Sequence, residues 1–314
     1  MKKLFLLILS SVSYLYVEAH PGIGMVYDGE RFIYYTDLKH VWKLDTKSGM
    51  SEIFVEDVHT HELALDRSGH LYGEHYWYVE SEQKFKNYIW RANKVGVIQK
   101  IREDQYGENH DFSFVRDRQF SSYEIRKGLG EHEIVLKDTL QEKVLAQLTL
   151  DNPTWKYLSD NDDFLFVDYP SIYVFKHGAV SIISEDVSST KFPFSFVGKE
   201  HNIYGIWTDK SQNTYVAIYG GREIRKITKN TEDSRLVKTG LLWSPVNGVF
   251  DNDNNLWIME CKIGGKIRVR KITQNKLLKK SSFLVERVIF AAILLLLTAL
   301  SVCKLKVYSS SYVF

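Results

Sequence analysis

The chain has 314 residues, 44% hydrophobic and 25% charged, with 41 basic against 39 acidic side chains. This balance excludes disorder over most of the length. A formal charge of +2 gives no electrostatic basis for nucleic-acid binding, which needs many clustered Lys and Arg. The 19 Tyr, 17 Phe and 7 Trp make 14% aromatic residues, a composition that favours strands. Two cysteines, Cys261 and Cys303, cannot form a disulfide framework.

At the start, basic Lys2-Lys3, an apolar stretch from Leu4 and the segment Val17-Glu18-Ala19 have the three parts of a secretory signal, giving a signal peptide over residues 1–19. An uncleaved anchor is the alternative, although the apolar part is short for a membrane span.

Between the ends lies a six-fold repeat. Asp28, Asp66, Asp117, Asp160, Asp209 and Asp251 are each followed six residues later by an aromatic: Tyr34, Tyr72, Tyr123, Phe166, Tyr215 and Trp257. The clearest copies run Leu63–Tyr72, Ile206–Tyr215 and Gly248–Trp257. Each reads as strand, tight polar turn, strand, because Asp, Asn, Ser and Gly supply the local hydrogen bonds and left-handed conformations that a reversal needs. A third strand of alternating apolar and basic residues follows, as in Lys39–Asp45, Ile89–Ala92, Arg222–Thr228 and Lys266–Thr273. A fourth fits Met50–Val55, Val97–Ile101, Val144–Leu148, Ala179–Ile183 and Ser234–Thr239.

The anchors are 38, 51, 43, 49 and 42 residues apart, the length of a four-stranded propeller blade. The predicted fold is therefore all-β, a six-bladed β-propeller over residues 20–282, whose closure removes exposed sheet edges. Two β-sandwich domains are the alternative, but they predict no constant order of turn and basic third strand. The copies at Asp66, Asp209 and Asp251 resemble NHL repeats and the related gluconolactonase-like six-bladed propellers, over roughly residues 24–275.

In such a ring the loops leading into the inner strands meet at one mouth, where a ligand is expected. They hold His61-Glu62-Leu63, His110-Asp111-Phe112 and His201-Asn202-Ile203, with Asn247 at a comparable place in blade six. Three imidazoles converging there could bind a divalent metal, zinc or calcium, and leave a position for water or substrate. The resemblance adds that the similar peptidylglycine amidating lyases carry zinc on three inner-strand histidines. His61, five residues before Asp66, matches that pattern best. His110 and His201 stand seven and eight residues before their anchors. Locally hydrogen-bonded loop histidines are the alternative, with Glu62, Asp111 and Asn202 then acting as turn caps or as ligand-binding groups. The second-strand ends face the same mouth and bring Glu74, Arg126, Tyr219 and Glu260 as candidate catalytic groups. A gluconolactonase-like metal site would need a glutamate at the start of blade one, where Gly24-Met25 stands. A sugar lactonase is disfavoured. Tyr76-Trp77-Tyr78 reads as an apolar loop.

Near the end, Val288–Cys303 is an uncharged run of sixteen residues followed by Lys304 and Lys306. With its flank it reads as a transmembrane helix over residues 283–303, followed by a short cytoplasmic tail, 304–314. Lys276, Lys279, Lys280 and Arg287 precede it and favour the opposite orientation, but the signal peptide places the propeller on the extracytoplasmic side. The expected function is a membrane-tethered propeller binding a small molecule, peptide or protein at its channel mouth. The alternative is a metal-dependent lyase or hydrolase using His61, His110 and His201.

Overall fold

The structure is a computed structural model. It describes residues 22–66, 68–102, 104–106, 122–128, 130–137, 141–159, 161–187, 203–227, 234–240, 242–262 and 265–273. All of them belong to the compact unit Met1–Gln274. The expected signal peptide (1–19), membrane span (283–303) and tail (304–314) lie outside the described residues. Among the described residues no helix is long and apolar enough to cross a membrane.

Six antiparallel sheets follow one another in the chain. Blade one holds β1 (Met25–Tyr27), β2 (Phe32–Thr36), β3 (Val41–Asp45) and β4 (Ser51–Val55). Blade two holds β5 (Leu63–Leu65), β6 (Leu71–Val79), β7 (Lys84–Ala92) and β8 (Ile98–Lys100), with β9 (Gln105–Tyr106) pairing β7. Blade three is described as β10 (Ser122–Lys127), β11 (His132–Lys137) and β12 (Glu142–Leu148). Blade four holds β13 (Pro153–Leu158), β14 (Phe164–Asp168), β15 (Ser171–Lys176) and β16 (Ala179–Ser184). Blade five holds β17 (Ile203–Thr208), β18 (Thr214–Ile218), β19 (Glu223–Ile227) and β20 (Ser234–Lys238). Blade six is described as β21 (Trp243–Phe250), β22 (Leu256–Lys262) and β23 (Ile267–Ile272). The molecule is an all-β six-bladed propeller.

The hairpin between the first two strands explains the repeat. In Asp66, Asp209 and Asp251 one carboxylate oxygen accepts the backbone N–H groups two and four residues on, at 2.8 to 3.0 Å. The other accepts from the aromatic six residues on: Tyr72 at 2.9 Å, Tyr215 at 2.8 Å and Trp257 at 2.8 Å. The fourth turn residue takes a left-handed φ, at Gly69 (77°), Gln212 (62°) and Asn254 (58°). Asp28 caps the same turn through the N–H groups of Glu30, Arg31 and Phe32.

Blade four corrects the reading by one residue. Ser159, not Asp160, is the cap, its hydroxyl accepting from Asn161 and Asp163 at 3.3 and 3.1 Å. A serine oxygen fills the geometric role of an Asp oxygen in such turns. It carries no second oxygen for an aromatic partner.

Side chains on the blade faces make the core. Leu165, Val167, Ile206, Val216 and Ile218 join blades four and five, and Met25, Tyr35, Tyr204, Val246 and Trp257 join blades five, six and one. Tyr34, Val41, Leu71 and Trp90 join blades one and two, and Ile125, Ile134, Phe164 and Phe166 join three and four. Close approach fixes one glycine here: a Cβ on Gly248 would stand 2.6 Å from Cζ2 of Trp207 in the preceding blade. The ring closes from blade six to blade one. Asn247 Nδ2 donates to the Ile23 carbonyl at 2.6 Å, and Asn252 Nδ2 donates to the Gly29 carbonyl.

Candidate functional site

The inner strands set the site, and a recurrent bulge sets the inner strands. The register slips by one residue between Ile203 and Gly205 in β17 and between Pro245 and Asn247 in β21, leaving Tyr204 and Val246 as the inserted residues. Each stands five residues before its capping Asp. Ile23 and His61 occupy the same offset in blades one and two. In blade two, Leu63 pairs Gly73 while Tyr76 N–H donates to the His59 carbonyl, so the same slip falls beside His61. In β13 the inserted residue is Trp155, four residues before Ser159. Bulges re-aim side chains at the rims of sheets.

This geometry sorts the expected site residues. The counterpart of His61 in blade five is Tyr204 rather than His201, and those in blades one and six are Ile23 and Val246. His110, Asp111, His201 and Asn202 lie outside the described residues. Among the described residues no group of three or more His, Cys, Asp and Glu is placed to hold a metal ion. The His61 ring meets that of His59 edge-on, 4.8 Å between centroids. Its carbonyl accepts from Ile23 N and Gly24 N at 2.9 and 2.6 Å, pinning blade two to blade one.

A cavity of about 770 Å³ runs along the inner strands of blades one, two, four, five and six, within the range of small-molecule sites. Glu62 and Asn247 both border it. Asn247 is committed to ring closure through Ile23, and its Oδ1 accepts from Gly248 N at 2.8 Å. The aromatic side of the cavity was not anticipated from the sequence. Trp155 stacks on Tyr204 at 5.1 Å, and Tyr204 packs on Tyr219 at 4.7 Å. Tyr219, one of the expected catalytic groups, thus backs the wall that Trp155 and Tyr204 form.

The other second-strand candidates are held differently. Glu260 is fully buried and receives Arg268 Nε at 2.7 Å and Arg270 Nη2 at 2.9 Å. The Arg268 guanidinium lies 3.9 Å from the centre of the Trp243 ring. Arg126 is engaged by Glu133 at 2.8 Å and Glu142 at 3.0 Å on the outer surface of blade three. Glu74 is 7% exposed, on the face of blade two opposite Trp90. Burial pushes its carboxyl up to about 7, and Arg102, 3.9 Å away, only partly opposes this. Beside it His75 is lowered, first by burial and then by His59 and Lys100.

Tyr76-Trp77-Tyr78 lies within β6 rather than in a loop. Tyr76 stacks on Phe85 at 5.0 Å and Tyr78 meets the same ring at 4.9 Å. Cross-strand aromatic pairing gives the β6–β7 ribbon its length.

Solved structures share this architecture. A candidate gluconolactonase is 12% identical, with 80% of this chain and 90% of that chain covered and a TM-score of 0.51. A protein of unknown function from Bacteroides thetaiotaomicron is 12% identical, covering 79% and 68%, also at 0.51. A gluconolactonase from Xanthomonas campestris is 14% identical, covering 78% and 84%, at 0.48. The shared architecture is the six-bladed β-propeller. At these identities the likeness concerns the fold alone. No protein-family profile and no curated protein sequence matches the chain.

The start of blade one does not fit the metal site of a gluconolactonase-like propeller. Gly24 stands there, and a Cβ would meet Leu63 Cγ at 2.9 Å and the Glu62 carbonyl carbon at 3.0 Å. The next residue, Met25, is buried in the core between blades.

Proposed function

We propose that this chain is a membrane-tethered extracytoplasmic β-propeller that binds a small molecule, peptide or protein in its central channel. The observation that carries the reading is the cavity of about 770 Å³, bounded by five inner strands and walled on one side by Trp155 and Tyr204. Beside this wall the lining carries charged groups, Glu62, Lys156, Asp162, Asp209 and Lys210, and polar groups of this kind orient a ligand that an aromatic surface holds. The tether and the side of the membrane rest on the signal-like residues 1–19 and the apolar run Val288–Cys303. A thermal-shift screen of the full-length protein against small metabolites and peptides tests binding. Stabilising compounds should lose their effect in Ala64→Phe, which narrows the channel at a lining residue. Compounds that stabilise both proteins equally would place binding elsewhere.

A second reading, a metal-dependent lyase or hydrolase, is favoured by the place of His61 at the same bulge offset as the cavity-lining Ile23 and Tyr204 and by the raised carboxyl of Glu74 in the same blade. His61 would hold the metal together with His110 and His201, and the metal would polarise a carbonyl or acidify a bound water. Glu74 would then serve as acid or base. Metal analysis of the purified protein decides between the two. Stoichiometric zinc or calcium that is lost when His61, His110 and His201 become Ala supports the enzyme. No bound metal, with unchanged stability in chelator, leaves the binding module.

A further inference from the structure

The charges along the cavity fall into two groups. Asp162, Asp209 and Lys210 stand at the end formed by the hairpin turns, and the turns explain them. Asp209 caps the blade-five hairpin and holds Tyr215. Lys210 Nζ donates to Asn252 Oδ1 of blade six at 3.0 Å, and Asp162 is an exposed turn residue with a left-handed φ of 63°.

Between the bulges and the caps, the described residues that border the cavity carry two charges, Glu62 in blade two and Lys156 in blade four. Neither belongs to a turn: Lys156 lies within β13, paired across to Phe166, and Glu62 directly precedes β5. The two are opposite in sign and nearly level. Glu62 stands four residues before the Asp66 cap and Lys156 three before the Ser159 cap, a difference of about 3 Å along a strand. Both are half-buried, and a charge set in a partly dried wall acts on an opposite charge more strongly than one in open water. Next to Lys156 in the same strand is Trp155, stacked on Tyr204.

We infer that the channel ligand is a small zwitterion with a flat ring, of the aromatic amino-acid class: Glu62 receives its ammonium group, Lys156 its carboxylate, and the wall of Trp155 and Tyr204 its ring. This inference rests on the channel-binding reading above. The two charges of an amino acid sit on one carbon, and the flexible four-carbon stem of Lys156 supplies the reach. Stacking on the aromatic wall holds the ring. A ligand with one charge is selected against, because an anion meets Glu62 and a cation meets Lys156 as like charges.

The probes are L-tryptophan, indole-3-propionate, which lacks the ammonium group, and tryptamine, which lacks the carboxylate. Titrated calorimetrically into the full-length protein, L-tryptophan should bind about tenfold or more tighter than either, the worth of one charge-assisted hydrogen bond. Glu62→Gln should erase the preference over indole-3-propionate and keep the preference over tryptamine, and Lys156→Met should do the reverse. A merely structural role for these side chains would move all three affinities together. L-alanine, the same zwitterion without the ring, should bind about tenfold or more weaker than L-tryptophan. The comparison of probes on the wild type stands without either variant. Equal wild-type affinity for L-tryptophan and either single-charge probe, equal affinity for L-alanine, or preferences that the two substitutions leave unchanged would overturn the inference. If no probe binds while the metabolite screen finds channel ligands blocked by Ala64→Phe, the inference fails and the binding reading stands. If the screen also finds none, both fail.

Discussion

Trp257 Nε1 donates a 2.8 Å hydrogen bond to Oδ2 of Asp251, six residues earlier in the chain. The bond joins the hairpin cap to the second strand, and the same pair recurs as Asp66 with Tyr72 and Asp209 with Tyr215. Asp251→Ala removes the cap and leaves a buried indole N–H unpaired. The expected loss is about 2 kcal/mol, read as a lower denaturant midpoint at constant slope. Asp28→Ala, whose carboxylate bonds only backbone N–H groups of its turn, should cost about half as much.

These carboxylates also predict an acid limit. Burial raises the pKa of Asp66, Asp209 and Asp251, but their hydrogen bonds outweigh it, so all three are lowered overall. A lowered folded pKa means that the unfolded chain takes up protons first. The stability they contribute is complete above the usual Asp value of about 4 and is lost as pH falls below it. Thermal midpoints of wild type and the triple Asn variant should converge below pH 3 and separate above pH 5. Parallel curves across that range would show that these caps do not set the limit.

Glu74 predicts the opposite slope. Its folded pKa of about 7 exceeds the ordinary value of 4.5, so the folded state holds its proton while the unfolded state has released it. Stability should therefore fall as pH rises from about 4.5 to about 7, by at most about 3 kcal/mol. His75, with a lowered pKa, works in the reverse sense over part of that window. The difference between wild type and Glu74→Gln isolates the carboxyl, and it should grow with pH and level off above 7.

Gly248→Ala should cost about 1–3 kcal/mol, because the new methyl meets the Trp207 ring and the blades must part to admit it. Trp207→Leu in the same chain should recover part of the loss. A full loss persisting in the double variant would point to backbone conformation instead.

The repeat was legible because its parts are chemically obligatory. An Asp oxygen pair is needed to cap a turn and hold an aromatic, so Asp66 with Tyr72 and Asp251 with Trp257 show in the sequence. Alternating basic strands such as β19 and β23 show for the same reason. Blade four was misplaced by one residue because a serine hydroxyl serves as cap at Ser159 and removes the carboxylate signal. The layer holding His61, Tyr204 and Val246 was hidden, since a bulge is one extra residue with no composition of its own. Counting back from the caps would have aligned Tyr204 with His61. The same count from the expected anchor Asp160 would have landed on Trp155, because the bulge of that blade stands four rather than five residues before its Ser159 cap.

The hydrogen bonds from Asn247 to Ile23 and from Asn252 to Gly29 span 224 and 223 residues of sequence, whereas each blade is assembled from neighbouring segments of the chain. Local hairpins form before contacts of such separation can reward the chain for meeting itself. The seam between the first and last blades is therefore where the circle is completed last and parts first. Hydrogen exchange should find β1 and β21 opening with a smaller free energy than β14 and β18. Asn247→Ala should widen that gap, loosening one radius of the wheel while its opposite side stays closed.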